Sequence, residues 1–335
     1  MQKETFIKQY AAGLNPQQLA AVQAVHGPVL LLAVPGSGKT TVLVTRLGYM
    51  VLCCDVPPAQ ILTMTYTVAA THEMRGRFAA RFGAELAGQM TFRTINGLSA
   101  VILQYYSRVY GRRQPELLTN EGDITRMLTD IWQQVNREFP TESTLKELRT
   151  AITYIKNMAL ADEEIEGLET DLANLPELYR RYQAALKRAG QMDYDDQMVF
   201  ALRILRRYPD ILAHFQSKYP YLCVDEAQDT SKIQHAILRL LAARSRNLFM
   251  VGDEDQSIYG FRAADPTLVD ILYRAAERIA AFHQHQVRNS FLVNDEEGIL
   301  MGQKVVPLAR VGLYVPGGTA AYPSTVLMDV IPAKV

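Results

Sequence analysis

The sequence predicts an α/β protein: a parallel sheet carrying a phosphate-binding loop, interrupted by an inserted helical block. Three observations carry that prediction. An apolar run, Pro28 to Val34, leads into Pro35-Gly36-Ser37-Gly38-Lys39-Thr40-Thr41 and then into Val42–Met50, which suits a helix. Further short apolar runs, Ile61–Thr65, Thr91–Ile95, Tyr221–Val224 and Asn247–Val251, read as strands spaced along the chain. Between about Gln104 and Gly190 such runs vanish and helical patterning takes over, as in Ile124–Val135 and Leu175–Ala189.

The first of these stretches sets the chemistry. The apolar run reads as a buried strand. Behind it, backbone N–H groups of the Gly36-Ser37-Gly38 loop can converge on phosphate oxygens, and the helix N-terminus adds partial positive charge. Lys39 can reach β- and γ-phosphates, and the Thr40 hydroxyl can ligate Mg²⁺. The strict loop pattern has a glycine six residues before the lysine, where this chain has Ala33. Upstream, Asn15 can cap a helix over Leu19–Val25, with Pro16 in its first turn. Gln17 offers one amide donor and one acceptor, enough to read an adenine edge.

The second and third strands end in hydroxyl and aromatic residues. Ligands of open α/β sheets bind at carboxyl strand ends. Tyr66 can therefore stack on a base, and Thr65 or Thr94 can bond a phosphate. The run Tyr221–Val224 ends in Asp225-Glu226. Behind a phosphate loop, Asp225 can hold the Mg²⁺ hydration shell and Glu226 can polarise the water that attacks the γ-phosphate. After Asn247–Val251, Gln256 is placed to sense a γ-phosphate. Tyr259 and Phe261 can stack bases, and Arg262 can pair with a phosphate or with the Asp225-Glu226 segment.

Composition bounds the rest. The chain has 335 residues, 48% of them hydrophobic and 21% charged, as in a soluble globular protein with two or three domains. Lys plus Arg equals Asp plus Glu, 35 each, so the whole chain has no basic footprint; a local groove for nucleic acid stays open. Cys53, Cys54 and Cys223 lack metal spacing and read as reduced thiols. Met1–Tyr10 lacks an apolar signal core, and no apolar run approaches a membrane span, so the expected location is cytoplasmic. Trp132 reads as core, and the charged stretch Asp162–Asp171 as solvated surface.

Taken in order, Leu14-Asn15-Pro16-Gln17-Gln18, Gly36-Ser37-Gly38-Lys39-Thr40, Thr65-Tyr66-Thr67, Asp225-Glu226-Ala227-Gln228-Asp229-Thr230 and Gly252-Asp253-Glu254-Asp255-Gln256-Ser257-Ile258-Tyr259 resemble the first half of UvrD/Rep-type superfamily 1 DNA helicases. The resemblance covers about residues 5–265. It implies a RecA-like domain with an inserted helical subdomain, and ATP-driven 3′ to 5′ translocation on single-stranded DNA. It implies that Gln17 reads adenine, that Pro35 to Thr41 hold ATP, and that Asp225 and Glu226 serve metal and water. It also implies that Gln256 couples nucleotide state to DNA, with Tyr66, Tyr259 and Phe261 facing the strand. Two departures stand out: Val68-Ala69 replaces the family's usual Asn-Lys, which weakens strand contact, and Phe261 stands where many members have Trp.

The tail resembles another family. Ala276-Glu277-Arg278-Ile279, Phe282-His283, Pro307-Leu308-Ala309-Arg310-Val311-Gly312-Leu313-Tyr314-Val315-Pro316-Gly317-Gly318 and Tyr322-Pro323-Ser324-Thr325-Val326-Leu327-Met328 resemble an early segment of histidinol dehydrogenase. That resemblance places Tyr314 near NAD, while the family's zinc ligands and acid/base residues come later in its chain than this segment reaches.

The expected division is 1–103 and 191–265 for the ATP-binding core, 104–190 for the helical insertion and 266–335 for the dehydrogenase-like fragment, a chimera joined near Ala264 to Thr267. The expected function is an ATP-dependent DNA helicase lacking its second motor domain, with ATP, Mg²⁺ and single-stranded DNA as ligands and a protein supplying the missing domain as a candidate partner. The alternatives are an ATP- or DNA-binding remnant without unwinding activity, and an NAD-dependent histidinol dehydrogenase fragment.

Overall fold

The computed structural model describes residues 1–32, 37–252, 277, 279–285, 287, 289–294, 300–306 and 330–331. The chain divides into two compact units, Met1–Glu254 and Asp255–Val335.

The first unit opens with α1 (Lys3–Phe6), continued as a wider π turn over Ile7–Ala11, and with α2 (Pro16–Gln23). The start of α2 follows from its residues. Asn15 Oδ1 accepts from the Gln18 N–H at 2.8 Å, and Gln18 Oε1 accepts from the Asn15 N–H at 3.0 Å. This reciprocal cap satisfies two orphan donors, and Pro16 in the first turn has none to satisfy. The chain continues through β1 (Val29–Leu32), α3 (Lys39–Cys53), β2 (Ile61–Thr65), α4 (Val68–Phe82), α5 (Ala84–Gln89), β3 (Thr91–Thr94) and α6 (Ile95–Tyr110). Next come β4 (Glu116–Leu117), α7 (Glu121–Asn136), α8 (Glu142–Met158), α9 (Asp162–Glu166), α10 (Leu175–Ala189) and β5 (Gln191–Met192). The unit closes with α11 (Tyr194–Arg207), α12 (Pro209–Lys218), β6 (Tyr221–Val224), α13 (Lys232–Ala242) and β7 (Asn247–Gly252).

Five strands form one parallel sheet in the order β1-β7-β6-β2-β3. Its two faces read directly off the two-residue period of the strands. Ile61, Cys223, Phe249 and Val251 pack with α2, α3 and α4. Leu62, Met64, Leu222 and Val224 pack with α6, α11, α12 and α13. A sheet covered by helices on both faces is what parallel strands require. α3 and α4 approach closely at Gly48, where a Cβ would lie 2.2 Å from the Phe82 ring.

One strand differs from expectation. The run at β1 reads as a buried strand, yet Leu30 is 59% exposed while Leu31 packs, partly buried, into the α3 face. β1 ends the order of the described sheet, so the apolar run does not by itself secure burial on both faces.

The helical stretch has its own core, in which Leu128, Trp132, Leu148, Ile152, Leu178 and Tyr182 are buried together. The expectation that strands vanish there needs a correction. β4 and β5 pair in parallel, Glu116 with Gln191 and Leu117 with Met192. Strands of two residues leave no periodic trace in a sequence. α6 also crosses residue 104, and its Ile102 and Leu103 belong to the sheet's core.

A buried ion cluster ties this stretch to α11. The Lys156 side chain on α8 is 1% exposed and lies 2.5 Å from Asp193 and 2.8 Å from Asp196. The Tyr182 hydroxyl donates to Asp193 at 3.1 Å, and the Asn157 amide donates to Asp195 at 2.9 Å. Asp193 also caps α11 by accepting from the Asp196 N–H at 2.9 Å. Burial still pushes the Asp195 and Asp196 carboxyls above their ordinary value.

In the second unit, residues 279–284 are helical, and β8 (Phe291–Asn294) pairs antiparallel with β9 (Leu300–Gln303). Phe282, Leu292 and Val306 are exposed there. The stretch carrying Tyr314 lies outside the described residues.

Candidate nucleotide site at the strand ends

The register gathers the sequence-predicted residues along one edge. Leu30, Met250, Val224, Met64 and Arg93 form one row across the sheet, from the pairs Leu30–Met250, Val224–Met250, Met64–Val224 and Met64–Arg93. One residue further on stand Asp225, Thr65 and Thr94, and the Asp225 N–H donates to the Met64 carbonyl at 2.9 Å. Because every strand is parallel, these residues and the turn into α3 share the carboxyl edge, where open α/β sheets bind ligands.

Of the loop, Ser37 onward is described. Gly38 precedes α3 with φ +83°, a conformation suited to glycine. Lys39 and Thr40 then occupy the first helical positions. Thr41 is exposed, and its carbonyl accepts from the Thr45 hydroxyl at 2.6 Å. The Ser37 hydroxyl is buried without a hydrogen-bond partner among the described residues. A buried orphan hydroxyl is costly and fits a site that a polar ligand completes. Pro35 and Gly36 lie outside the described residues.

Asp225 and Glu226 follow β6. The Glu226 N–H donates to Asp225 Oδ1 at 3.1 Å, and Glu226 adopts a left-handed backbone with φ +51°. The Gln228 amide donates to Glu226 Oε2 at 2.7 Å. Burial, reinforced by the Glu226 charge, pushes the Asp225 carboxyl up to about 6, and the Lys39 charge only partly opposes this. Two carboxylates at a strand end, one of them desolvated, form a donor set that a divalent cation would relieve. Among the described residues no group of three or more His, Cys, Asp or Glu is placed to hold a metal. A pair of carboxylates beside substrate phosphates and water is a set that Mg²⁺ commonly takes.

A sequence model of the UvrD/REP helicase N-terminal domain matches residues 14–277. The chain belongs to this family. It is 35% identical over 259 residues to the ATP-dependent DNA helicase PcrA of Leuconostoc citreum, covering 76% of this chain and 34% of that protein. It is 33% identical to PcrA of Staphylococcus aureus, over 75% of this chain and 34% of the relative. Against the putative ATP-dependent DNA helicase YjcD of Bacillus subtilis it is 32% identical over 264 residues. The chain thus spans about a third of the length of the curated relatives it matches. A histidinol dehydrogenase model matches residues 246–335.

In this UvrD/REP-type domain the expected strand-facing residues divide. Tyr66 is half-buried just beyond β2. Thr65 is buried, and its hydroxyl lies 3.1 Å from the Thr67 carbonyl and 2.6 Å from the Thr71 hydroxyl. Thr94 caps α6, accepting from the Gly97 N–H at 2.9 Å, which leaves its own hydroxyl proton to donate. Val68, at the departure from the usual Asn-Lys, is 64% exposed. Gln256, Tyr259, Phe261 and Arg262 lie outside the described residues.

Sequence reasoning missed Gln18. Gln17 is exposed at the start of α2, whereas the Gln18 amide donates to the Ser37 carbonyl at 2.8 Å and bridges the α2 cap to the phosphate loop. The signal was present as Asn15 followed three residues later by Gln18, a spacing that turns the glutamine back over the cap.

Proposed function

We propose that this chain is the ATP-hydrolysing part of a DNA helicase, with Lys39, Thr40, Asp225 and Glu226 as its chemical centre. The observation that carries the reading is the desolvated Asp225, raised to about 6 beside Glu226 and within reach of the Lys39 charge, at the edge where α3 begins. The names of the relatives, ATP-dependent DNA helicases, support the same class.

In this reading the loop N–H groups and Lys39 hold the triphosphate, and the Ser37 hydroxyl finds its partner there. Thr40 and Asp225 hold Mg²⁺, which supplies charge neutralisation on the phosphates when bound. Glu226, oriented by Gln228, accepts the proton of the attacking water. Gln256 relays nucleotide state, and Thr94, Tyr66, Tyr259, Phe261 and Arg262 contact single-stranded DNA, with Thr65 holding the turn beneath Tyr66. Gln17 and Gln18 share the adenine side. The stretch 104–190 acts as an inserted subdomain between core segments 1–103 and 191–265. Translocation polarity, 3′ to 5′, follows from the family resemblance, and a second motor domain or a partner protein completes the cleft. The tail, 266–335, is a histidinol dehydrogenase-like fragment. Its join near Ala264 to Thr267 falls where the two family matches overlap, residues 246–277.

Steady-state ATP hydrolysis with and without single-stranded DNA tests the reading. DNA-stimulated turnover should fall at least about 10³-fold in Lys39→Ala and in Glu226→Gln. Binding of ATP without turnover in the parent chain would instead favour the ATP- or DNA-binding remnant. NAD reduction by histidinol would favour the dehydrogenase reading.

A further inference from the structure

The far end of α6 carries a second surface with its own chemistry. α6 runs sixteen residues from the strand-end edge, so its C-terminus lies about 24 Å from Thr94. There α11 ends and α12 begins. The rings of Tyr106, Tyr110 and Tyr208 sit 4.7–5.3 Å apart, and the Tyr106 and Tyr208 hydroxyls are 3.2 Å apart. Tyr110 donates to the Asp210 carboxylate at 2.9 Å. Beside them Tyr105 stacks on His214 at 4.1 Å, and the Arg108 guanidinium lies 5.2 Å over the Tyr105 ring.

Four cations surround these rings. The charges of Arg112 and Arg207 reach the Tyr106 and Tyr208 hydroxyls. Those of Lys218 and Arg108 reach His214, whose imidazole is held below its ordinary value first by burial and then by them. All four are exposed. The chain as a whole is neutral, with 35 residues of each sign, so this is a local concentration. Helix dipoles account for part of it, since Arg108, Arg207 and Lys218 occupy or border last turns. They do not account for the interlocked phenols between those cations.

We propose that this face is a second nucleic-acid contact, one that takes the sugar-phosphate backbone of double-stranded DNA. Arginine forks match phosphate oxygens, and whichever of the Tyr106 and Tyr208 hydroxyls accepts within their pair keeps a proton to donate. The rings are packed on one another and on His214, which leaves only part of the Tyr110 ring open as a platform for unpaired bases; that argues for backbone contact over single-strand stacking. Exposed large apolar side chains here come down to Val109 and Tyr110. A protein-binding core would be more apolar and depleted in charge.

The test uses the full chain without nucleotide and a blunt duplex of about 20 bp, followed by fluorescence anisotropy across a salt series. The variants are Arg108→Gln/Arg112→Gln/Arg207→Gln and the matching triple Lys set. The Gln set should weaken duplex binding at least about tenfold and reduce the slope of log K against log salt by about 2–3. The Lys set should keep most of that slope, and hydrolysis at saturating single strand should stay unchanged in both. Unchanged duplex affinity and slope in the Gln set would overturn the proposal. So would equal losses in the Gln and Lys sets. Loss of binding to a polyglutamate peptide, with duplex binding intact, would place an acidic protein there instead.

Discussion

Two clusters of buried carboxylates sit in the same unit and have opposite constitutions. Around α11, Asp193 and Asp196 close on Lys156 at 2.5 and 2.8 Å, and Tyr182 and Asn157 donate to Asp193 and Asp195. At the end of β6, Asp225 receives a backbone N–H from Glu226, but burial and the Glu226 charge outweigh the reach of Lys39 and raise it to about 6. The first cluster brings its own cation and fixes α8 to α11. The second leaves its negative charge poorly compensated, which supports the proposed Mg²⁺ site there. Buried carboxylates alone therefore do not mark a reactive site; what matters is whether the protein itself completes them.

The largest effect should come from removing the internal cation. Lys156→Met should cost about 3–5 kcal/mol, because it strands desolvated carboxylates. Urea unfolding followed by fluorescence of Trp132, buried in the neighbouring core, measures it. Adding Asp196→Asn should recover part of the loss. A cost below about 1 kcal/mol would dissolve the contrast, since it would mean that the cluster is effectively solvated.

Asp225→Asn should act in the opposite direction. The folded carboxyl is raised from 3.8 to about 6, so its stability contribution is complete below pH 4 and is lost as pH rises through 6. Removing the charge should stabilise the ligand-free chain by about 1–3 kcal/mol above that window and by little below pH 4, while abolishing hydrolysis. Thermal unfolding at pH 4 and pH 8 gives the comparison, and destabilisation at pH 8 would break it.

A smaller effect sharpens the proposed adenine side of the site. Gln18→Ala removes the bond to the Ser37 carbonyl and one half of the α2 cap, and should cost about 1 kcal/mol of stability. Gln17→Ala should leave stability unchanged. Whichever variant narrows the preference for ATP over GTP in a binding assay identifies the reader of the base.

Much of the architecture was legible because it rests on local rules. β2 matches Ile61–Thr65, and α10 matches Leu175–Ala189, since period and caps act over a few residues. Asn15 and Pro16 announced the start of α2 for the same reason. Less legible were the two-residue strands β4 and β5, whose pairing joins residues far apart in sequence, and the exposure of Leu30. The Lys156 cluster had no sequence signature, because its partners are 37 and 40 positions away and nothing local requires them.

The sequence by itself determined the strand-loop-helix at Lys39, the acidic pair after β6 and the family to which they belong, because each depends on residue type and short spacing. Only the tertiary structure decided that β2, β6 and β7 align in register, that Gln18 touches the loop before α3 while Gln17 faces solvent, and that one acid cluster closes on a buried lysine while in the other burial and a neighbouring carboxylate outweigh the lysine charge. Those outcomes depend on burial and on distances between remote segments, and desolvation energy exists only once the chain has closed around the charge.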